Sequence, residues 1–368
     1  MKNDPSPLQG EHKKIISLLN QLTQAHGPSG YEAPAARVVS EKLKPLADEV
    51  AIDRLGSVVA YKKASRPKAS NGKVLLAAHL DEIGLLVTSI EQEGYLRFTN
   101  IGGIDPRTLL GQEVFIHSSL KPGKKIFGVI GAKPPHYQNP QEQESMVPLA
   151  DLYIDIGRGG AAAKRAVAVG DAATLRSVFS ELQGGRASAK SLDDRIGCAA
   201  MIMTLEHLST RAHPRDVYAV ATSQEEAGLG FLGASTSAFK IKPDLALVID
   251  VTHADMPLAP EHRTFSLAKG PVIAIGPNFH PAVAQSLISL ARRLEMPYQI
   301  EPLAGNSGTD AVDIQVTGAG IPTGLVSLPV RYMHTPVETA NLADIERVAR
   351  LLATFISELD QLDLAWKD

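Results

Sequence analysis

KVLLAAHLDEIGLLV, residues 73–87, is the stretch on which the fold turns. It is short, almost continuously apolar and bounded by turn formers, which predicts a strand buried on both faces of a central sheet. Upstream, Ile15, Leu18, Leu19 and Leu22 recur at helical spacing, predicting a helix over 11–24. A breaker cluster, HGPSGYE, follows, and its Ser29 is a candidate cap for a second helix over about 32–46. Downstream, from about Thr88 to Ser177, the texture changes. Short alternating segments (YLRFTNI, EVFIHSS, KIFGVIGA, LYIDIG) are separated by Gly, Pro and Asn, with one short helical stretch near 161–166. This predicts a small β-rich, barrel-like unit.

After that the strand and helix patterns alternate again. A helix is expected over 194–208, then strands VYAVATS, LALVIDV and PVIAIG, a helix over 281–294, strands YQIEPLA and IPTGLVSL, and a terminal helix over 342–362. Alternation of this kind gives an α/β fold, an αβα sandwich with helices on both faces of its sheet. The β-rich piece interrupts it, so the larger domain is discontinuous, 1–87 and 178–368, with 88–177 inserted.

Composition narrows the function. The 368 residues carry 37 basic and 40 acidic side chains, a formal net charge of -3, and only 5% aromatics. That balance gives no basic footprint for nucleic acid or an anionic membrane. The basic runs near 62–73 and 121–125 sit among Gly, Pro and Ser and read as solvated loops. Apart from a polar start at 1–7, where disorder is expected, nothing has a disordered composition. One cysteine, Cys198, rules out an internal disulfide and fits a reducing compartment. No apolar leader and no membrane-length run is present, so the expected location is cytoplasmic.

Candidate metal ligands recur where predicted strands end: His79 and Asp81, Asp193 and Asp194, Glu225 and Glu226, Asp250, and His334. Each has an ordinary explanation alone. An Asp before a helix is usually a cap, and a single His is usually structural. Together they gather at the carboxyl ends of strands, where open α/β sheets bind ligands. Uncompensated carboxylates there would resist joint ionisation, which divalent cations relieve. Imidazole and carboxylate without thiolate suit zinc, cobalt or manganese. No GxSxG motif is present and nothing pairs Cys198 with a histidine, so a serine or cysteine nucleophile has little support.

The ordered set AHLDEIGLLV, SLDDRIGCA, TSQEEAGLGFLGA, VIDVTHAD, SGTDA and RYMHTPVET resembles metallopeptidase family forty-two. That family holds the tetrahedral (TET) leucyl and glutamyl aminopeptidases and relatives named cellulase M or endoglucanase. GPSGYE, GGIDPRTLLGQ, GVIGAKPPH and LYIDIG extend the resemblance over nearly the whole chain.

The resemblance implies an aminopeptidase acting on peptides with a free N-terminus through two divalent ions per subunit. His79, Asp193 and Asp250 would hold one ion and Asp193, Glu226 and His334 the other, with Asp193 bridging. Glu225 would be the general base for a water shared by the metals. Asp81 would hydrogen-bond the free nitrogen of His79, and the Asp193–Asp194 peptide would be cis. It further implies that the inserted unit mediates a homodimer and that dimers build a hollow homododecamer. Ser307 replaces a Gly common in the family, and Asp310 is either a pocket residue or a helix cap. Two other chemistries compete: a metal-dependent deacylase or amidase on N-acyl amino acids, and an endoglucanase. The latter would leave His79 and His334 idle.

Overall fold

The computed structural model describes residues 7–66, 72–228 and 230–364. Most of the polar start, and 67–71 of the first basic run, lie outside the described residues. The strands in chain order begin with β1 (Glu49–Ile52), β2 (Val58–Lys62) and β3 (Lys73–His79). Next come β4 (Gly84–Ile90), β5 (Leu96–Ile101), β6 (Glu113–His117), β7 (Lys125–Gly131), β8 (Tyr153–Asp155) and β9 (Ala172–Leu175). The remainder are β10 (Ser180–Leu182), β11 (Arg186–Ala189), β12 (Asp216–Thr222), β13 (Leu245–His253), β14 (Val272–Ile275), β15 (Gln299–Pro302), β16 (Thr323–Val330) and β17 (Glu338–Asn341). The helices are α1 (Pro7–Gln24), α2 (Ala33–Leu43), the short α3 (Pro140–Glu144) and α4 (Gly160–Lys164), α5 (Leu192–Ser209), α6 (Leu232–Ile241), α7 (Pro281–Arg293), α8 (Ala311–Gln315) and α9 (Leu342–Ser357).

Among the described residues, eight strands form a mixed sheet in the order β1-β2-β12-β3-β13-β16-β14-β15. Its centre, β12-β3-β13-β16, is parallel throughout. Side chains alternate across the pleat, so Val74, Leu76 and Ala78 of β3 enter one core while Leu75 and Ala77 enter the other. β13 repeats the pattern with Leu245, Leu247 and Ile249 against Ala246 and Val248. This is why both strands read as continuous apolar runs. Helices α1, α2, α5, α7 and α9 cover the first face; α6 and α8 cover the second. The αβα sandwich expected from the sequence is present. A helix between β12 and β13 was not expected. α6 buries mainly Gly233, Ala234, Ser237 and Ala238, small residues that give little periodic apolar signal.

Strands β4 to β9 close into a barrel in the order β4-β5-β8-β7-β6-β9. It has its own core, including Leu85, Leu96, Val114, Ile116 and Ile154. Closure removes the unpaired edges a small open sheet would expose.

The stretch 73–87 is therefore not one strand. It belongs to the central sheet only up to His79, and from Gly84 it opens the barrel. The break falls on Asp81 and Glu82, buried acids committed to other partners. Gly84 sits at the crossing, where a Cβ would lie 2.9 Å from Pro28 and 3.0 Å from the Ala173 carbonyl, so only glycine fits. Ser29 does not cap α2. Its N–H donates to the Glu82 carbonyl at 3.1 Å, and the helix starts after Glu32 with no side-chain cap. α9 closes at Ser357, short of 362, and passes into a 3-10 turn over 359–361.

Glu82 anchors the crossing segment to the sandwich. Its carboxylate accepts from Gly27 N–H at 2.9 Å and from Lys190 Nζ at 2.5 Å, and both side chains are under a tenth exposed. Removing one partner strands a buried charge. Lys190→Met is expected to destabilise the fold by about 3–5 kcal/mol. The double change Lys190→Met with Glu82→Gln should recover much of that loss in thermal unfolding. A fully additive double variant would show that the pair is not coupled. No helix among the described residues is long and apolar enough to cross a membrane.

Candidate metal centre

The parallel register of the sheet builds the site. β3 and β12 pair so that His79 lies beside Thr222, which brings the chain leaving β12 at Glu225 and Glu226 next to His79. Asp250 lies on β13 opposite Ser327 of β16, and β16 leads on to His334. The chain entering α5 supplies Asp193. His79, Asp193, Glu225, Glu226, Asp250 and His334 all line one cavity of about 360 Å³. Asp81 lies behind them, fully buried.

Asp193 is the centre of the arrangement. Its Oδ1 lies 3.0 Å from His79 Nε2 and its Oδ2 lies 3.4 Å from His334 Nε2. His334 Nε2 is also 3.3 Å from Glu226 Oε1. On the other side, His79 Nε2 is 3.9 Å from both Asp250 Oδ1 and Glu225 Oε2. Ligand atoms of His79, Asp193 and Glu226 lie within 4.8 Å of one another, as do those of His79, Asp194 and Asp250. Asp194, a candidate ligand by sequence to which the resemblance gave no ion, thus also approaches the cluster. Its Oδ1 accepts from Gly197 N–H at 3.1 Å, and its buried Oδ2 has no hydrogen bond. The Asp193–Asp194 peptide is cis.

Two buried carboxylates hold the loops that bear the candidate ligands from behind. Asp81 accepts from Glu225 N–H at 3.1 Å and Glu226 N–H at 2.9 Å. The hydrogen bond expected from the His79 ring to Asp81 is not formed: the carboxylate oxygen is 3.7 Å from Nδ1, which has no hydrogen-bond partner. The carboxylate is turned instead to the two backbone amides. Glu338 acts in the same way, accepting from Asp193 N–H at 2.9 Å and His334 N–H at 2.8 Å. Sequence reading missed Glu338. Its only signal was its place four residues after His334, in a segment already singled out. Gln224 and His334 hold φ of 60° and 63°, positions side chains seldom adopt unless the surroundings impose them.

The barrel reaches the same site. A Cβ on Gly103 would lie 2.9 Å from His334 Nδ1, which accounts for a glycine in the GGIDPRT segment. Asp310 stands at the N-cap position of α8 without capping it and does not line the cavity. Its Oδ2 accepts from the Thr222 hydroxyl at 2.5 Å, its side chain caps nothing, and burial raises its pKa to about 6. Ser307, Gly308 and Thr309 line the cavity in its place.

The electrostatics suit cations. Burial, then Asp250, Asp310 and Glu226, push Glu225 up to about 11, while His79 acts against the shift. Burial and Asp193 raise Asp250, with His79 again opposing. Burial alone would lower His334, but Asp193 and Glu226 hold it up at about 11. Among the described residues, no lysine or arginine lines the cavity. A hard-to-borderline set of two imidazoles and several carboxylates, one with its oxygens facing two different histidines, fits a pair of divalent ions.

A family model described as M42 glutamyl aminopeptidase matches residues 56–351. A lysyl aminopeptidase of Pyrococcus furiosus is 36% identical, the match covering 94% of this chain and 98% of that protein. An aminopeptidase structure from Desulfurococcus kamchatkensis superposes with a TM-score of 0.86 at 40% identity, covering 94% and 95% of the two chains. The Pyrococcus horikoshii TET1 peptidase, which can assemble into a tetrahedron or a large octahedral shell, gives 0.80 at 32% identity over 94% and 100%.

Proposed function

The chain belongs to the M42 peptidase family, and on that premise we propose that it is a two-metal aminopeptidase removing residues from the free N-termini of peptides. The observation that carries the reading is Asp193, whose two oxygens face His79 and His334 separately. His79, Asp193 and Asp250 would hold one ion and Asp193, Glu226 and His334 the other, zinc or cobalt by donor type, with manganese also accommodated. Bound there, such a pair polarises the scissile carbonyl and makes water a competent nucleophile near neutral pH.

The chain's own groups do the rest. Glu225 takes the proton of the attacking water and returns it to the leaving amine as the C–N bond breaks. Asp81, by accepting from Glu225 N–H and Glu226 N–H, keeps base and ligand in fixed register. Glu338 does the same for Asp193 and His334. The acidic lining favours a free α-amine over an acylated one. We assign the discontinuous unit, 1–87 and 178–368, to catalysis and the inserted unit, 88–177, to dimerisation, with the first boundary drawn back to Gly84 where the barrel begins. Dimers then assemble into a dodecamer, and the enzyme works in the cytoplasm.

The test is hydrolysis of aminoacyl-p-nitroanilides, N-acetyl amino acids and carboxymethylcellulose, after chelation and after adding zinc, cobalt or manganese. Metal-restored cleavage of free-amine substrates alone is expected. Activity confined to acylated substrates would make it a deacylase, and metal-independent cellulose cleavage would make it a glycosidase. The relatives' names do not choose the preferred residue, since the family description says glutamyl and the Pyrococcus furiosus protein is lysyl.

A further inference from the structure

The cavity that holds the candidate ligands continues past them to the edge of the sheet. There its wall includes Thr252, Glu301, Leu303 and Leu325. Glu301 comes from β15, the outermost strand on that side, and is half-buried. Its Oε1 accepts from the hydroxyl of Thr252 at 2.8 Å, and Thr252 is itself 7% exposed. Thr252 follows Asp250 by two residues on β13, so the carboxylate is tied to the strand that carries a metal ligand. Among the described residues, Glu301 makes no ion pair, and the cavity contains no lysine or arginine. Its nitrogen bases are His79, His334 and His253.

We propose that Glu301 is a specificity-determining residue that selects peptides whose N-terminal residue is lysine or arginine. The inference rests on the aminopeptidase reading of the site. A substrate held by its α-amine and scissile carbonyl at the acidic cluster projects its first side chain along the remaining wall. Leu303, backed by the buried Leu325, offers apolar surface to a four-carbon stem, and Glu301 offers a carboxylate to the charged head. Burial raises the pKa of Glu301, so its ionised form is under-solvated in the empty pocket. A substrate cation offsets that cost. An N-terminal glutamate or aspartate would instead bring a second carboxylate against Glu301 with no lysine or arginine in the cavity lining to pair with it, a repulsive arrangement that discriminates against it.

Two measurements test this. The first compares kcat/KM for lysyl-, arginyl-, norleucyl- and glutamyl-p-nitroanilide with metal-reconstituted enzyme; norleucine keeps the stem of lysine and removes its charge. Lysyl over norleucyl is expected by roughly 10- to 100-fold, the range for a charge-assisted hydrogen bond. In Glu301→Gln that ratio should fall toward one. The second is calorimetric binding of L-lysine against L-norleucine, which reads the pocket without turnover and should show the same order and the same collapse in Glu301→Gln. Norleucyl substrates cleaved as well as lysyl ones, or a ratio that survives Glu301→Gln, would overturn the role of Glu301 and leave the aminopeptidase reading intact. Failure to cleave any free-amine substrate would remove that reading and this inference with it.

Discussion

Glu225→Gln is expected to lower kcat for free-amine substrates by roughly 10²- to 10⁴-fold, the usual weight of a general base, with metal content unchanged at about two ions per chain. The change is nearly isosteric. Glu225 is 8% exposed, and its backbone N–H stays bound to Asp81 at 3.1 Å, so neither packing nor loop position should respond. What is lost is a carboxylate able to take a proton, which an amide cannot do. Elemental analysis alongside p-nitroanilide release separates the two possible roles. Normal turnover would remove Glu225 as the base, whereas loss of an ion would make it a ligand.

His334→Ala should reduce bound metal from about two ions to about one and abolish most activity, because on the proposed reading both ions would serve the same carbonyl and water. The side chain is a third exposed and, among the described residues, its Nε2 faces Asp193 and Glu226. Its removal therefore opens a polar gap to solvent and leaves no dry cavity. Residue 334 also sits at φ 63°, where alanine is strained by roughly 1–2 kcal/mol and glycine is not. His334→Gly is the control: equal metal loss in both variants assigns the effect to the imidazole. Undiminished stoichiometry in the glycine variant would remove His334 from the ligand set. The contrast with Lys190→Met is instructive, since that change attacks a buried pair away from the cavity and should show first in stability.

Several features were legible because their signals are local. β3 and β13 announced themselves as continuous apolar runs, and the change to short alternating segments after residue 88 marked the barrel. The residue types at strand ends named the candidate ligands. Two readings failed for a common reason, and a third for its own. The stretch 73–87 looked like one strand because apolar character persists through Ile83 and Leu85. The commitments of Asp81 to Glu225 and Glu226, and of Glu82 to Gly27 and Lys190, lie far away in sequence. Ser29 looked like a cap, but its amide is taken by Glu82. α6 escaped notice because it packs with small residues.

The sequence by itself determined the alternation of helices and strands, the interrupted sandwich and the chemical character of the site. These follow from side-chain periodicity and donor type, which are properties of short stretches. Only the tertiary structure decided how those groups are used. It gave Asp193 two differently directed oxygens, turned Asp81 from His79 to two backbone amides, recruited Glu338 behind the ligands and brought Glu301 to the pocket through Thr252. Each of those depends on where a side chain stands relative to a group separated from it in the chain by other elements. Carboxylates have no periodicity to reveal them, and their roles are fixed by distances of about 3 Å that only the packed sheet and its crossing loops can set.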